Sequence, residues 1–149
     1  MWSGKKSISL SKFCVLIFTV MLIGTVLSAP WLVRLLMDFS RADLVGKETL
    51  FLLTIYSGSV PAAVLLFCLY RLLRHIELEQ VFITANVEYL RRISWCCFAG
   101  AVICFASIHY YFPWSFVAVA AAFMGLIVRV IKNVFAQAVE LKNESELTI

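Results

Sequence analysis

The chain has 149 residues, of which 62% are hydrophobic and 15% are charged, and its formal net charge is +4. Soluble domains carry about 45–50% apolar and about 25% charged residues, so one core of this size cannot hide so many apolar side chains from water. With a mean hydropathy of +0.93, the composition excludes a soluble enzyme, a disulfide-stabilised secreted domain and a disordered protein. We predict a single membrane domain over residues 1–149.

Four long apolar runs, separated by charged residues, predict spanning helices at 13–33, 50–70, 93–112 and 114–134. A span needs about 20 apolar residues, and the alternation typical of a barrel strand is absent. The predicted fold is therefore all-α, an integral membrane four-helix bundle. The first run also has an alternative interpretation as a cleaved signal peptide, but it exceeds the usual apolar core of about 7–15 residues.

Lysine and arginine are unevenly distributed between the two sides. The N-terminal segment, the connection between the second and third spans and the chain from Arg129 onwards carry ten of them, and the other side carries three. Because basic connections stay on the cytoplasmic side, both termini are predicted to be cytoplasmic. A basic inner face would also suit an anionic inner leaflet, although the same charges are explained by topology alone.

The central part of each predicted span contains no acidic, basic or histidine residue. Proton-coupled transporters and intramembrane proteases need such residues, so both classes are disfavoured. His75 and His109 are predicted on opposite sides of the membrane, where they cannot share a metal. We predict no catalytic residue, cofactor or metal. The five cysteines are interpreted as apolar fillers, with palmitoylation of Cys96 or Cys97 as the alternative.

Small and aromatic residues predict how the helices pack. The short link around Pro113 predicts an antiparallel hairpin of the last two spans, whose contact would use small residues such as Gly125. Pro61 predicts a kink in the second span, as plain structure or as part of a gate. A cluster of aromatic residues is interpreted as an interfacial belt, with a binding patch as the alternative: Trp31, Tyr110, Tyr111, Phe112 and Trp114.

Two segments outside the spans are patterned. In the connecting segment, residues 71–92, the second helix is predicted to continue, and Thr84 to cap a new helix. In the C-terminal segment, residues 135–149, the fourth helix is predicted to continue as an amphipathic stalk up to a polar break, with its apolar end docked on Val81 and Phe82. On the other side of the membrane, the spacing of Arg34 and Asp38 predicts an ordinary helix-surface pair.

Two stretches resemble signatures of a small bacterial four-span membrane family of unknown function. Residues Glu79 to Ile93 read E-Q-V-F-I-T-A-N-V-E-Y-L-R-R-I, against the family form G-x-V-F-T-x-E-N-x-x-x-L-R-x-I. Residues Glu140 to Ile149 read E-L-K-N-E-S-E-L-T-I, against E-L-x-x-E-x-D-L-T-I. The chain departs from these forms at Glu79, where the family often has glycine, at Ile83-Thr84-Ala85, which replaces a Thr/Ser-containing link, and at Glu146, where the family has aspartate.

The resemblance implies a non-enzymatic multi-pass protein of the bacterial cytoplasmic (inner) membrane. Genes of this family commonly lie beside one for a small helix-turn-helix regulator of the Cro/cI type, which implies an interaction or regulatory module that binds such a partner. The matched positions give the candidate partner-docking residues: Val81, Phe82, Asn86, Leu90, Arg91, Glu140, Leu141, Glu144, Leu147, Thr148 and Ile149. The alternative is that the two segments only pack against each other and stabilise the fold.

A different class of function also fits the sequence, namely a small transporter or channel subunit for an apolar or lipid-like compound. It would need no buried charge, and it would use Pro61 and the small-residue faces. The scattered basic residues form no element that reads nucleic acid, so no direct nucleic-acid contact is expected. The expected surroundings are the lipid bilayer, and a homo-oligomer is left open.

Overall fold

The computed structural model describes residues 4–39 and 46–147, and these ranges hold five helices and no strand. The helices are α1 (Gly4–Leu27), α2 (Ala29–Phe39), α3 (Glu48–Glu77), α4 (Thr84–Ser107) and α5 (Trp114–Leu147). Four of them, α1, α3, α4 and α5, are long and apolar enough to cross a membrane. The predicted all-α fold with four spanning helices is confirmed.

The spanning helices pack in chain order. α1 packs against α2 and α3, α3 packs against α4, and α4 packs most extensively against α5. Within the described ranges, the backbones of α1 and α5 do not approach each other. All four helices nevertheless line one cavity of about 240 Å³. The four spanning helices are therefore arranged in an arc around this cavity, with a gap between α1 and α5.

The outer surface of this row is apolar. Large side chains such as Phe18, 56% exposed, and Val119, 70% exposed, point away from the other helices. A water-soluble protein rarely exposes contiguous apolar surface on this scale, whereas lipid covers it without cost. The protein is accordingly a multi-pass membrane protein by length, composition and surface.

The first predicted span, residues 13–33, is wrong in its boundaries, because α1 ends at Leu27 and α2 begins at Ala29. Pro30 has no N–H to donate to the carbonyl of Val26, so the helical ladder loses one hydrogen bond at this point. α2 then buries Val33 against Phe51 of α3. The apolar run is thus two helices, and α1 instead extends towards the N-terminus as far as Gly4.

The predicted pairing of Arg34 with Asp38 is also wrong. Arg34 Nε lies 3.5 Å from Glu48 Oε1 at the start of α3. The start of α3 lies beside α2, and a contact between helices replaces the expected contact along one helix. Both side chains are largely exposed, so the pair contributes about 0–1 kcal/mol at most.

The third predicted span, residues 93–112, ends too late, because α4 stops at Ser107 and residues 108–113 form the connection to α5. Turn hydrogen bonds replace the helical ladder there, including one from Tyr110 N to Ser107 O at 3.3 Å. At its other end, α4 begins at Thr84, and the capping position is Ile83, which has an extended backbone and no side-chain hydrogen bond. Thr84 is therefore the first helical residue, and its predicted capping role is wrong.

The antiparallel hairpin of α4 and α5 is confirmed. Ser94 Oγ donates a hydrogen bond of 3.0 Å to the carbonyl of Gly125, which joins the two helices directly. A Cβ atom added at Gly125 would lie 3.0 Å from the Phe98 ring, so the helices approach as closely as a glycine allows. α3 continues through Pro61, and the kink predicted there stays a prediction.

An aromatic and hydroxyl cluster closes the end of the molecule near the α4–α5 connection. The buried Phe51 ring lies 5.0 Å from the Tyr110 ring, and it also contacts Tyr111 and Trp114. Thr54 Oγ1 lies 2.8 Å from Ser107 Oγ and also contacts the Tyr110 hydroxyl. Three of the five predicted belt aromatics therefore pack inward, and the exposed Trp31 and Phe112 alone face outward as a belt requires.

Candidate functional site

The two segments singled out by sequence share one end of the molecule. Lys12 Nζ of α1 lies 2.7 Å from Glu77 Oε2 at the end of α3. The Phe82 ring, in the connection between α3 and α4, lies 5.5 Å from the Phe135 ring of α5. The first part of α1, this connection and the last part of α5 therefore lie together, and we call this end the connecting end.

The predicted continuation of the second helix beyond its apolar run is confirmed, since α3 extends to Glu77. It ends in a Schellman motif, in which two backbone N–H groups return to the carbonyls of the last turn. Gln80 N donates to His75 O at 2.9 Å, and Glu79 N donates to Ile76 O at 3.1 Å. Glu79 takes the left-handed conformation that this motif requires, with φ of 63°.

Asn86 holds the connection to the first turn of α4. It is fully buried, and its Nδ2 donates hydrogen bonds to Gln80 O at 2.8 Å and to Val81 O at 2.6 Å. Its Oδ1 lies 3.0 Å from His75 Nδ1. Since both amide hydrogens of Asn86 are used, its oxygen accepts and His75 Nδ1 donates, which assigns the proton on this imidazole.

A small apolar core lies beneath the connection. Its buried members come from α3 and α4, and partly buried side chains of α5 pack against them: Cys68, Leu72, Leu90 and Ile93, with Val128 and Phe135. Three helices therefore meet at the connecting end, and Leu90 belongs to this core.

The candidate docking residues fall into two groups. Asn86 and Leu90 are buried and assemble the connection, so they present no surface to a partner in this conformation. The described remainder is accessible: Val81 and Phe82 in the connection, Arg91 on α4, and Glu140, Leu141, Glu144 and Leu147 on α5. Thr148 and Ile149 lie outside the described residues.

The C-terminal segment differs from its prediction in two respects. α5 runs as a single helix from Trp114 to Leu147, so the predicted continuation of the fourth helix is confirmed and the predicted polar break is wrong. No glycine or proline follows Gly125 in the sequence, and the polar residues before Leu147 are tolerated on the exposed surface of a helix. Leu147 is 86% exposed, so it does not dock on Val81 and Phe82; Phe135 contacts Phe82 instead.

In the described part of the chain, no three His, Cys, Asp or Glu side chains are close enough to hold an ion. The imidazole of His75 is hydrogen-bonded to Asn86, and its ring lies 5.6 Å from the Tyr89 ring at a tilt of 42°. The connecting end presents an exposed helix and a connection that is held in place by hydrogen bonds of Asn86.

Sequence reasoning missed two features of this protein. One is the hydroxyl cluster of Thr54, Ser107 and Tyr110. No local pattern reveals it, because it joins a residue of α3 to residues at the end of α4 and in the following connection, far away in sequence. The other is the left-handed backbone at Glu79. Its signal was available, because the family form has glycine at that position.

Comparison with known proteins identifies the family and nothing closer. Searches of curated proteins and of solved structures gave no match to this chain. One family model matches residues 13–149, nearly the whole chain, and its description is "Protein of unknown function (DUF2975)". Both signature stretches lie within the matched range. The chain therefore belongs to the DUF2975 family of proteins of unknown function.

Proposed function

We propose that this chain is a non-enzymatic protein of the bacterial inner membrane whose cytoplasmic end binds a soluble partner, namely a small transcription regulator of the helix-turn-helix type. The observation that carries the proposal is the exposed end of α5. Phe135 contacts the connecting segment, and α5 continues to Leu147, about 18 Å further along the helix axis. Every residue from Glu140 to Leu147 is exposed.

The surface of this exposed end suits a protein partner. Leu141 is 66% exposed and Leu147 is 86% exposed, although neither can lie in lipid if this end is in the cytoplasm. An amphipathic helix with such side chains binds in an apolar groove of a partner. The acidic residues Glu140, Glu144 and Glu146 outnumber Lys142 here, and an acidic helix complements the basic surface with which a regulator binds DNA.

The cytoplasmic position of this end is supported by the distribution of basic residues. Lys12, Arg74, Arg91 and Arg129 all belong to the connecting end or adjoin it, and basic connections are retained in the cytoplasm. A membrane protein with an exposed cytoplasmic helix can hold a regulator at the bilayer and away from DNA. Release of that partner would then change transcription.

Site-specific cross-linking tests the proposal. A photoreactive residue replaces Leu141 in the full-length chain, which is co-expressed with a small helix-turn-helix regulator of the Cro/cI type. We expect a cross-linked complex of the two chains, lost when Leu147→Glu is added, and altered transcript levels when the membrane protein is deleted. The matched control carries the photoreactive residue at the exposed Val119, which faces lipid. Equal cross-linking from both positions, or none from Leu141, would overturn the proposal.

A second candidate is a small transporter or channel subunit for an apolar or lipid-like compound. It is favoured by the 240 Å³ cavity that all four spanning helices line. Trp114 lines this cavity, and its buried indole Nε1 has no hydrogen-bond acceptor among the described residues. A compound with one acceptor atom would satisfy this donor, since an unpaired buried N–H is costly.

Efflux of a lipophilic fluorescent dye from intact cells tests this second candidate. Gly58 lines the cavity, and a Cβ atom there meets nothing within 4 Å. The substitution Gly58→Leu therefore fills the cavity without displacing a neighbour, and transport of the dye should fall. The control is Gly24→Leu on α1, where a Cβ also meets open space but outside this cavity. Efflux that does not depend on the protein would sink this candidate.

A further inference from the structure

A polar cavity lies between α4 and α5 at the connecting end. Its volume is about 210 Å³, and it is lined by Arg91, Ser94 and Trp95 of α4 and by Arg129 and Lys132 of α5. Three of these five side chains are cationic and none is acidic. The Ser94 hydroxyl is already occupied by the carbonyl of Gly125, so the cavity chiefly offers positive charge.

The positive charge of this cavity is poorly neutralised by the protein. Arg91 Nη1 lies 3.2 Å from Glu88 Oε2, but both side chains are half exposed, and such surface pairs are weak. Arg129 and Lys132 form no ion pair within the described ranges. α5 contains no acidic residue before Glu140. The group is therefore able to attract an external anion.

An apolar cavity continues from the polar one along the same pair of helices. It has a volume of about 370 Å³ and is lined mainly by Phe98, Val102 and Phe105 of α4 and by Ala118, Val119 and Ala122 of α5. On α4 the lining residues of both cavities follow at intervals of three and four, and on α5 Ala122 of one cavity and Arg129 of the other are seven residues, or two turns, apart. The two cavities therefore lie on one face of the helix pair, and we call this face the α4–α5 groove.

The dimensions of the α4–α5 groove match one leaflet of a bilayer. Arg129 and Ala118 are eleven residues apart on one helix, about 16 Å, and half the hydrocarbon core is about 15 Å thick. The exposed indole of Trp95 lies at the basic end, where tryptophan prefers the headgroup level. The groove therefore has a cationic part at headgroup depth and an apolar part at acyl-chain depth.

We propose that the α4–α5 groove is a binding site for an anionic phospholipid. The lipid phosphate is bound by Arg91, Arg129 and Lys132, and one acyl chain lies against Phe98, Val102 and Ala122. Basic pockets between spanning helices are suited to such headgroups, and the apolar part distinguishes a lipid from a free anion. The site is independent of partner binding at the end of α5.

Native mass spectrometry of the full-length protein in a mild neutral detergent tests this site. Phosphatidylglycerol, phosphatidylethanolamine and inorganic phosphate are added separately at equal concentration. We expect bound phosphatidylglycerol, little phosphatidylethanolamine and no retained phosphate. The double variant Arg129→Gln, Lys132→Gln should weaken phosphatidylglycerol binding by at least about tenfold, because each basic residue near an anionic headgroup contributes several-fold.

The matched control removes the same charge at the same end but outside the groove. Arg71→Gln with Arg74→Gln, both exposed on α3, should weaken binding by less than about threefold, as expected for a diffuse and screened attraction. A further variant, Ala122→Phe, fills the apolar part and leaves the charges intact, and it too should lose the lipid.

Four results would overturn the proposal. They are equal losses in the two double variants, equal binding of phosphatidylethanolamine, retention of inorganic phosphate unaffected by Ala122→Phe, and a lipid-free dimer that covers the groove. If the Arg129→Gln, Lys132→Gln variant does not fold, the proposal is supported when the Arg71→Gln, Arg74→Gln variant retains phosphatidylglycerol and the Ala122→Phe variant loses it.

Discussion

Two residues, Glu79 and Asn86, determine the geometry of the connection between α3 and α4. Glu79 ends α3 in a left-handed backbone conformation, which costs an L-residue with a side chain about 1–2 kcal/mol. Asn86 then fixes the following residues by donating to two of their carbonyls. A conformation that is locally unfavourable at Glu79 is thus maintained by a buried hydrogen-bond network.

Replacing Glu79 by glycine should stabilise the protein. The left-handed cost disappears, and the greater freedom of glycine in the unfolded chain offsets part of the gain, so we expect about 0.5–1 kcal/mol. Thermal unfolding in detergent measures the change. The same substitution at Glu140, within the regular helix α5, should instead destabilise by about 1 kcal/mol. Destabilisation at both positions would contradict the conformation described for Glu79.

Replacing Asn86 by alanine should destabilise the connecting end by about 2 kcal/mol or more, because the carbonyls of Gln80 and Val81 lose their donor in a buried place. Hydrogen–deuterium exchange should show faster exchange in residues 76–90. Asn133→Ala, at an exposed position of α5, serves as the control and should leave both the exchange and the unfolding temperature unchanged. Unaltered exchange in Asn86→Ala would refute the role of the Asn86 hydrogen bonds in holding the connection.

At the scale of helices, the contact between α4 and α5 depends on the absence of one side chain. Gly125 is buried, and its carbonyl accepts from Ser94 while the Phe98 ring covers the place of a Cβ atom. In lipid no hydrophobic force drives helices together, so close packing and such hydrogen bonds carry the association. Gly125 therefore has a structural role, because it allows α5 to pack closely against α4.

Replacing Gly125 by alanine should separate α4 from α5 locally and destabilise the protein by about 1–3 kcal/mol, the usual cost of overpacking. Unfolding in a mild denaturing detergent measures the loss. Gly24→Ala is the matched control, because a Cβ atom at Gly24 of α1 meets nothing within 4 Å. There alanine should be neutral or stabilising by up to about 1 kcal/mol. An equal response at the two glycines would contradict the close approach.

At the scale of the whole molecule, sequence periodicity and length predict the number of spanning helices but not their ends. Residues 108–113 are rich in aromatic side chains, so hydropathy alone continues the third span past Ser107, where the helix ends. Pro30 was the visible signal for the break after Leu27. The partner of Arg34 depends on the path of the chain after α2, which no local pattern contains.

The same limit applies to the candidate site. The family form identified Asn86 as a special position. The sequence did not distinguish a residue that contacts a partner from one that holds the backbone, because residues of both kinds can form part of a family motif. Burial decides between them for Asn86 and Leu90. The accessible residues on α5 remain a prediction until a partner is cross-linked.

Labelling of single engineered cysteines tests the membrane orientation of the whole molecule. With the five native cysteines replaced by serine or alanine, a cysteine at Gln80 in the α3–α4 connection should react with a membrane-impermeant thiol reagent only after lysis. A cysteine at His109 in the α4–α5 connection should react in intact cells. This pattern follows from the distribution of lysine and arginine. The reverse pattern would place the exposed end of α5 outside the cell.

The unbroken course of α5 has a mechanical consequence. One continuous helix joins the bilayer to the exposed end, with no hinge residue between Gly125 and Leu147. A tilt of about 10° within the membrane, as a change in bilayer thickness can produce, would move the tip of that helix sideways by about 5 Å over its last 18 residues. A change in the thickness of the bilayer would thus be converted into a movement of the exposed end of α5 in the water phase.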